Sequence, residues 1–122
     1  MKDKSGNYKN EFGAAAAARL AGDFEKAEKY YKMVLVKNPD LADAYFGLGV
    51  IYQKNKEYDN AISNFENYLE RKKNEDVYSA VATLYMLKKD YEKSKKVIKK
   101  GLSDYPNSKK LKKLNEIAEK SK

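Results

Sequence analysis

Three six-residue blocks recur along the chain, Gly22-Asp23-Phe24-Glu25-Lys26-Ala27, Lys56-Glu57-Tyr58-Asp59-Asn60-Ala61 and Lys89-Asp90-Tyr91-Glu92-Lys93-Ser94, starting 34 and then 33 residues apart. A fixed spacing of that size marks an array of small repeated units rather than one irregular core. A unit that cannot bury its own apolar face must stack on its neighbours, and stacking leaves an elongated concave surface. The spacing thus constrains both the fold and the kind of surface it offers.

Between the blocks, apolar residues recur at three- and four-residue spacing and never in strand-like alternation. The pattern predicts helices near 8–20, 24–37, 41–55, 58–72, 75–88, 91–104 and 107–120, with Asp40, Asn74 and Asn107 placed to begin three of them. The last of these carries Leu111, Leu114, Ile117 and Ala118 on one stripe, with Lys109, Lys110, Lys112, Lys113, Glu116, Glu119 and Lys120 around the rest. An array needs a terminal unit with a polar outer face, and this segment suits that role. No equivalent cap is expected before the first repeated unit, which begins with the 8–20 helix. Residues 1–7 are short and polar and are expected to be disordered.

The residues around the blocks carry a resemblance. The second copy has Tyr45, Leu48-Gly49, Tyr52, Ala61, Phe65 and Tyr68-Leu69 in the order aromatic, Leu-Gly, Tyr, Ala, aromatic, apolar-Leu. The third keeps Tyr78, Val81-Ala82, Tyr85, Ser94, Ile98, Leu102 and Pro106, with Ser94 in place of the usual Ala. The first keeps Ala27, Tyr31, Leu35 and Pro39 but has Glu11, Ala14-Ala15 and Ala18 in its first helix. This pattern resembles the tetratricopeptide repeat, a helix-turn-helix unit of about 34 residues. The resemblance implies an all-α fold, a right-handed α-solenoid of three such hairpins plus a carboxy-terminal capping helix, about seven helices in all. It implies one domain over 8–122, with repeats 8–41, 42–74 and 75–108 and a cap at 108–122. Lys73 stands where the second copy would have its closing proline, so an altered turn is expected near 72–75.

In that family the first helix of each repeat lines the concave groove. The matching positions of the first copy include Phe12, Gly13, Ala16, Arg19 and Leu20, those of the second Phe46, Gly47, Val50 and Gln53, and those of the third Ser79, Ala80, Thr83, Met86 and Leu87. The resemblance makes these the groove that accepts a peptide or helical segment of a partner. The alternative reading of Gly47, Ala80 or any single apolar residue among them is packing alone. Some family members hold a chaperone carboxyl terminus with a clamp of Lys, Asn and Arg side chains. The matching positions here are Phe12, Ala16, Gly47, Asp76 and Ala80, so the clamp is absent. Tyr45, Tyr52, Tyr58, Tyr78, Tyr85 and Tyr91 fall at repeat-equivalent core positions.

The chain lacks histidine and cysteine, hence the commonest general base, the thiolate nucleophile and the usual zinc ligands. Its six glycines form no phosphate-binding loop. The reading is a noncatalytic scaffold without cofactor or metal, whose partner is another protein or peptide. Charge offers a second reading. Residues 88–122 hold 13 lysines against five carboxylates and so carry the whole net charge of +8. The Lys109, Lys110, Lys112, Lys113 patch is either a solvated face or an electrostatic tether to nucleic acid or an anionic membrane. With no arginine fork and little aromatic interleaving, specific nucleic-acid readout is not expected. Self-association through the uncapped first repeat is a third reading. Arg19 and the acidic Asp3 and Glu11 argue against an export signal at 12–21, and a cytoplasmic protein or a piece of a longer one is expected.

Overall fold

A computed structural model describes residues 8–121, and the expected disorder of 1–7 lies outside them. Seven helices follow in order: α1 (Lys9–Leu20), α2 (Phe24–Lys37), α3 (Ala42–Lys54), α4 (Tyr58–Arg71), α5 (Glu75–Leu87), α6 (Tyr91–Asp104) and α7 (Lys109–Lys120). No strand occurs among the described residues. The helices gather into two compact units, one ending at Arg71 and one beginning at Lys72.

The recurring blocks are helix stops followed directly by helix starts. Gly22, Lys56 and Lys89 open the three blocks, and all three have left-handed backbone, with φ of 84°, 62° and 63°. Each closes the preceding helix with a pair of backbone bonds. Gly22 N–H donates to Arg19 O and Asp23 N–H to Ala18 O, and the same pairs run from Lys56 to Gln53 and Glu57 to Tyr52, and from Lys89 to Met86 and Asp90 to Tyr85. The next residue then starts the new helix. Asp23 accepts from Lys26 N–H at 3.3 Å and Asp90 from Lys93 N–H at 3.2 Å.

Of the three expected caps, Asn74 accepts from Val77 N–H at 3.1 Å as predicted. Asp40 does not cap α3, whose N-cap position is Leu41 without a side-chain bond. The Asp40 carboxylate instead lies 3.4 Å from Arg71 Nε. Nor does Asn107 begin α7. Ser108, one residue on and buried, accepts from Leu111 N–H at 3.2 Å. Three residues, 72–74, link α4 to α5, where four link α2 to α3 and α6 to α7, which is the shortened turn that Lys73 led one to expect.

In the first unit α1 packs on α2, α2 on α3, α3 on α4, and α1 also meets α3. Tyr31 of α2 is its hub, only 1% exposed. The Phe12 ring meets it edge-on at 5.9 Å, and Arg19 Nε donates to its hydroxyl at 3.0 Å. Gly47 is small because of this ring: a Cβ there falls 2.2 Å from Tyr31 Cζ. Gly49 makes the same concession to Phe65 of α4, whose ring a Cβ would reach at 2.7 Å. Arg71 closes the unit, its guanidinium 4.7 Å from the centroid of the Tyr45 ring.

The second unit is α5, α6 and α7, each packed on the other two. Ala82, Ile98 and Ala118 form its buried centre, with Met86, Val97, Leu102 and Leu114 packed around. Ser94, at the position where Ala is usual, is fully buried and donates to Ala82 O at 2.9 Å, so its hydroxyl is satisfied. Gly101 sits under Leu111 and Tyr78, with a Cβ 2.9 Å from Leu111 Cδ1. Leu111 and Ala118 are buried, so α7 covers this unit as a cap does. Ile117, expected on the same stripe, is 45% exposed. Seven residues on from Leu111 the buried position is Ala118, and Ile117, one residue before it, lies about 100° round the helix, more than a quarter of a turn off the seam.

Candidate partner-binding surface

The expected groove residues lie on first helices, and all but the buried Gly47 are at least partly exposed. On α1, Phe12, Ala16 and Arg19 are half-buried and Leu20 is 79% exposed. On α3, Phe46, Val50 and Gln53 are half-buried. Because α1 packs directly on α3, these seven side chains sit on neighbouring helices of one unit. Each of the two aromatics is anchored from behind. Phe12 rests on Tyr31, and Phe46 packs against Phe65 at 6.0 Å and Tyr68 at 5.8 Å between centroids. Such backing fixes the ring while leaving an edge accessible. Arg19 is likewise held by its bond to Tyr31 rather than swinging free. Gly13 is exposed, with nothing within 4 Å of an added Cβ, whereas Gly47 is closed off by Tyr31 and serves packing.

In the second unit, Ser79 and Thr83 of α5 are half-buried and Leu87 is 56% exposed. Met86 packs against the Ala82, Ile98 and Ala118 cluster, so part of its side chain is used within the unit. Of the basic patch, Lys109, Lys112 and Lys113 are exposed, while Lys110 is bridged to Asp76, which raises its pKa. Tyr52, Tyr78 and Tyr85 are buried as expected of core positions, whereas Tyr45, Tyr58 and Tyr91 are half-buried.

Two polar clusters were not apparent from the sequence. Tyr52 of α3 donates to Glu28 of α2 at 2.7 Å, and Lys32 bridges the same carboxylate at 2.8 Å. Lys32 and then Tyr52 hold the Glu28 carboxyl below its usual range. Burial and then Glu28 push the Tyr52 phenol up. In the second unit Tyr78 donates to Asp104, which also meets Lys73 at 3.3 Å. Burial, then Asp104, lifts the Tyr78 phenol well above its ordinary range, and Tyr78 and then Lys73 hold Asp104 down. Apart from Lys32 and Glu28, four apart on α2, these partners lie 24 to 31 residues apart in sequence, beyond any local pattern. Every one of these shifts moves its group away from neutrality. The carboxylates are kept ionised and the buried phenols neutral, opposite to the tuning towards neutral pH that general acid or base catalysis needs.

Among the described residues no group of three or more His, Cys, Asp or Glu side chains is placed to hold a metal ion. No described helix is long and apolar enough to cross a membrane.

Family models of the tetratricopeptide repeat match residues 11–40, 30–63 and 75–107. The chain belongs to the tetratricopeptide repeat family. No curated protein is similar to it in overall sequence. Among solved structures the fold is shared with YrrB, described as a tetratricopeptide protein with an unusual peptide-binding site, at a TM-score of 0.81 and 17% identity. That match covers 94% of this chain and 60% of YrrB, less than two thirds of its length. The OM64 tetratricopeptide domain of Arabidopsis matches at 0.80 and 16%, over 97% of this chain and 98% of that one. The Yersinia enterocolitica type III secretion chaperone SycD, solved with a peptide of the translocator YopD, matches at 0.80 and 16%, over 91% of each chain. These likenesses show the fold, an all-α tetratricopeptide solenoid class with a seventh helix after the third hairpin.

Proposed function

We propose that this tetratricopeptide chain is a noncatalytic, cytoplasmic scaffold whose first helices hold a segment of a protein partner. The observation that carries the reading is the pair of backed aromatics on α1 and α3. Phe12 and Phe46 are fixed from behind by Tyr31, Phe65 and Tyr68 and remain partly open beside Ala16, Val50 and the exposed Leu20. Rigid aromatic edges among small and aliphatic neighbours suit apolar anchors of a peptide or a helix. Arg19 and Gln53 border them and supply polar contacts at the rim. The peptide-binding site of YrrB and the YopD peptide on SycD support the same use of this fold. On the second unit the reading falls on Ser79, Thr83, Leu87 and the free part of Met86.

The test is selection of binding peptides from a random display library on the intact chain, followed by titration of each selected peptide onto variants. Val50→Arg and Leu20→Arg change the surface without touching a buried partner. Each is expected to weaken binding by about tenfold or more, as loss of a central contact does. Thr83→Arg and Leu87→Arg test α5 separately. Unchanged affinity in all four variants would remove the first-helix surface as the site.

A further inference from the structure

The outer face of α6 and α7 carries a concentration of charge that folding does not account for. Lys95 Nζ lies 3.9 Å from Glu119 Oε1, which puts the start of α6 beside the end of α7. The end of α6 therefore lies beside the start of α7. At this end Lys99 of α6 and Lys109, Lys112 and Lys113 of α7 are exposed, with Lys96 one turn nearer the start of α6, and none of the five makes an ion pair among the described residues. Lys100 is answered only by Asp104. The paired carboxylates Glu92, Asp90 and Glu119 sit at the opposite end with Lys95 and Lys93; at this end Asp104 faces Lys100, Asp76 holds Lys110, and Glu116 follows Lys112 by one turn, against six lysines.

This placement opposes helix stability. The first turn of α7 has no acidic residue and holds Lys109 and Lys110, where the helix dipole disfavours cations. Lys96 and Lys100, and Lys109 and Lys113, stand four apart as like charges. By contrast α5 begins with Glu75 and Asp76. Local rules broken without internal compensation mark surfaces that meet something else.

The chemistry of the face narrows that partner. There is no arginine on it to form a bidentate fork on phosphate or guanine. Neither α6 after Tyr91 nor α7 has an aromatic residue to stack on a base. The apolar stripe of α7 is buried within its own unit, leaving only Ile117 to enter a bilayer. What remains is two short rows of flexible ammonium groups, each spanning about 6 Å of helix, one helix apart. We infer that this face binds an acidic polypeptide segment, a short run of Asp and Glu whose mobile carboxylates match mobile lysines. The surface is distinct from the first-helix residues of the proposed groove and stands or falls separately.

The test uses the intact chain and a fluorescent decaglutamate peptide, with binding read by anisotropy at two salt concentrations. Reversing Lys96, Lys99 and Lys112 to Glu is expected to weaken binding about tenfold or more, and the same three changed to Gln to weaken it less. Reversing Lys26, Lys29 and Lys54 in the first unit makes the same change in net charge and is expected to alter binding by less than about twofold. Circular dichroism checks that all three variants stay helical. Equal losses in the two reversal variants would overturn the inference, because net charge alone would then explain binding. So would tighter binding of a short DNA duplex or of phosphatidylserine vesicles than of decaglutamate to the unmodified chain.

Discussion

The two units are built from the same repeat yet are held together by different means. The first is organised by rings: Tyr31 receives Phe12, Arg19 and the bare backbone of Gly47, while Phe65 receives Phe46 and the backbone of Gly49. The second has one such ring, Tyr78, set against Tyr105 and the backbone of Gly101, but its centre is aliphatic and small, built around Ala82, Ile98 and Ala118, and its edge is clipped by Ser108 on Glu75 and Lys110 on Asp76. The difference teaches what a repeat motif specifies. It sets where helices stop and start and which positions face inward, and it leaves open whether volume there comes from a ring against a glycine or from branched chains against alanine.

Four experiments would break or sharpen this contrast. The largest effect is expected from Leu111→Ala, which empties a fully buried site under the seventh helix. It should cost about 3 kcal/mol, read by chemical denaturation, with hydrogen-exchange protection lost mainly over α5, α6 and α7. Protection lost equally from α1 and α2 would dissolve the distinction between the units. Gly47→Ala is next. Its methyl collides with the Tyr31 ring, and a loss of about 2 kcal/mol concentrated in α1, α2 and α3 is expected. A neutral outcome would mean that Tyr31 yields easily and is no hub.

The third experiment touches what the units share. Lys56 and Lys89 occupy left-handed backbone that costs a side-chain-bearing residue strain and glycine almost none. Lys56→Gly and Lys89→Gly should each gain about 1 kcal/mol in thermal unfolding, similar in the two units. Unequal gains would show that one turn is strained by its unit rather than by its own backbone.

The smallest effect is a pH dependence. The folded Asp104 carboxyl is held below its ordinary 3.8, so its contribution is present above that value and is lost as pH falls through the folded one. The Tyr78 phenol is raised above its ordinary 10.0, so its contribution is present below pH 10 and is lost as pH rises beyond it. Tyr78→Phe should therefore flatten both the acid and the alkaline decline of the melting temperature and leave the neutral plateau in shape. A profile parallel to that of the unmodified chain would show that the Tyr78 and Asp104 contact does not couple to folding.

Much of this architecture was legible in the sequence because it is local. The blocks and the apolar periodicity between and after them located all seven helices, and Asn74 was readable as a cap from its place before Glu75 and an apolar run. Asp40 and Asn107 were misread for a physical reason. A short polar side chain at a helix start has other uses, and Arg71, which draws Asp40 away, stands 31 positions later. The surface expectations divided along the same line. The family resemblance put Phe12, Phe46 and Leu20 on first-helix faces, but could not show the rings behind the two phenylalanines, nor the closing of Gly47 by Tyr31 or the diversion of Lys110 to Asp76. Those depend on which side chain arrives from another helix, and nothing in a repeat's own register records that.

The stop-and-start turns have a consequence for how such a chain can change in length. Each is closed by its own backbone bonds and opened by the residue that follows, and the three differ little in dihedral angle. A genetic exchange between the codons of Gly22 and Lys56, or of Lys56 and Lys89, would join one left-handed residue's surroundings to another's, adding or deleting a whole hairpin's worth of chain with no new turn to invent. The number of repeats is thus the property of this molecule most open to revision by recombination.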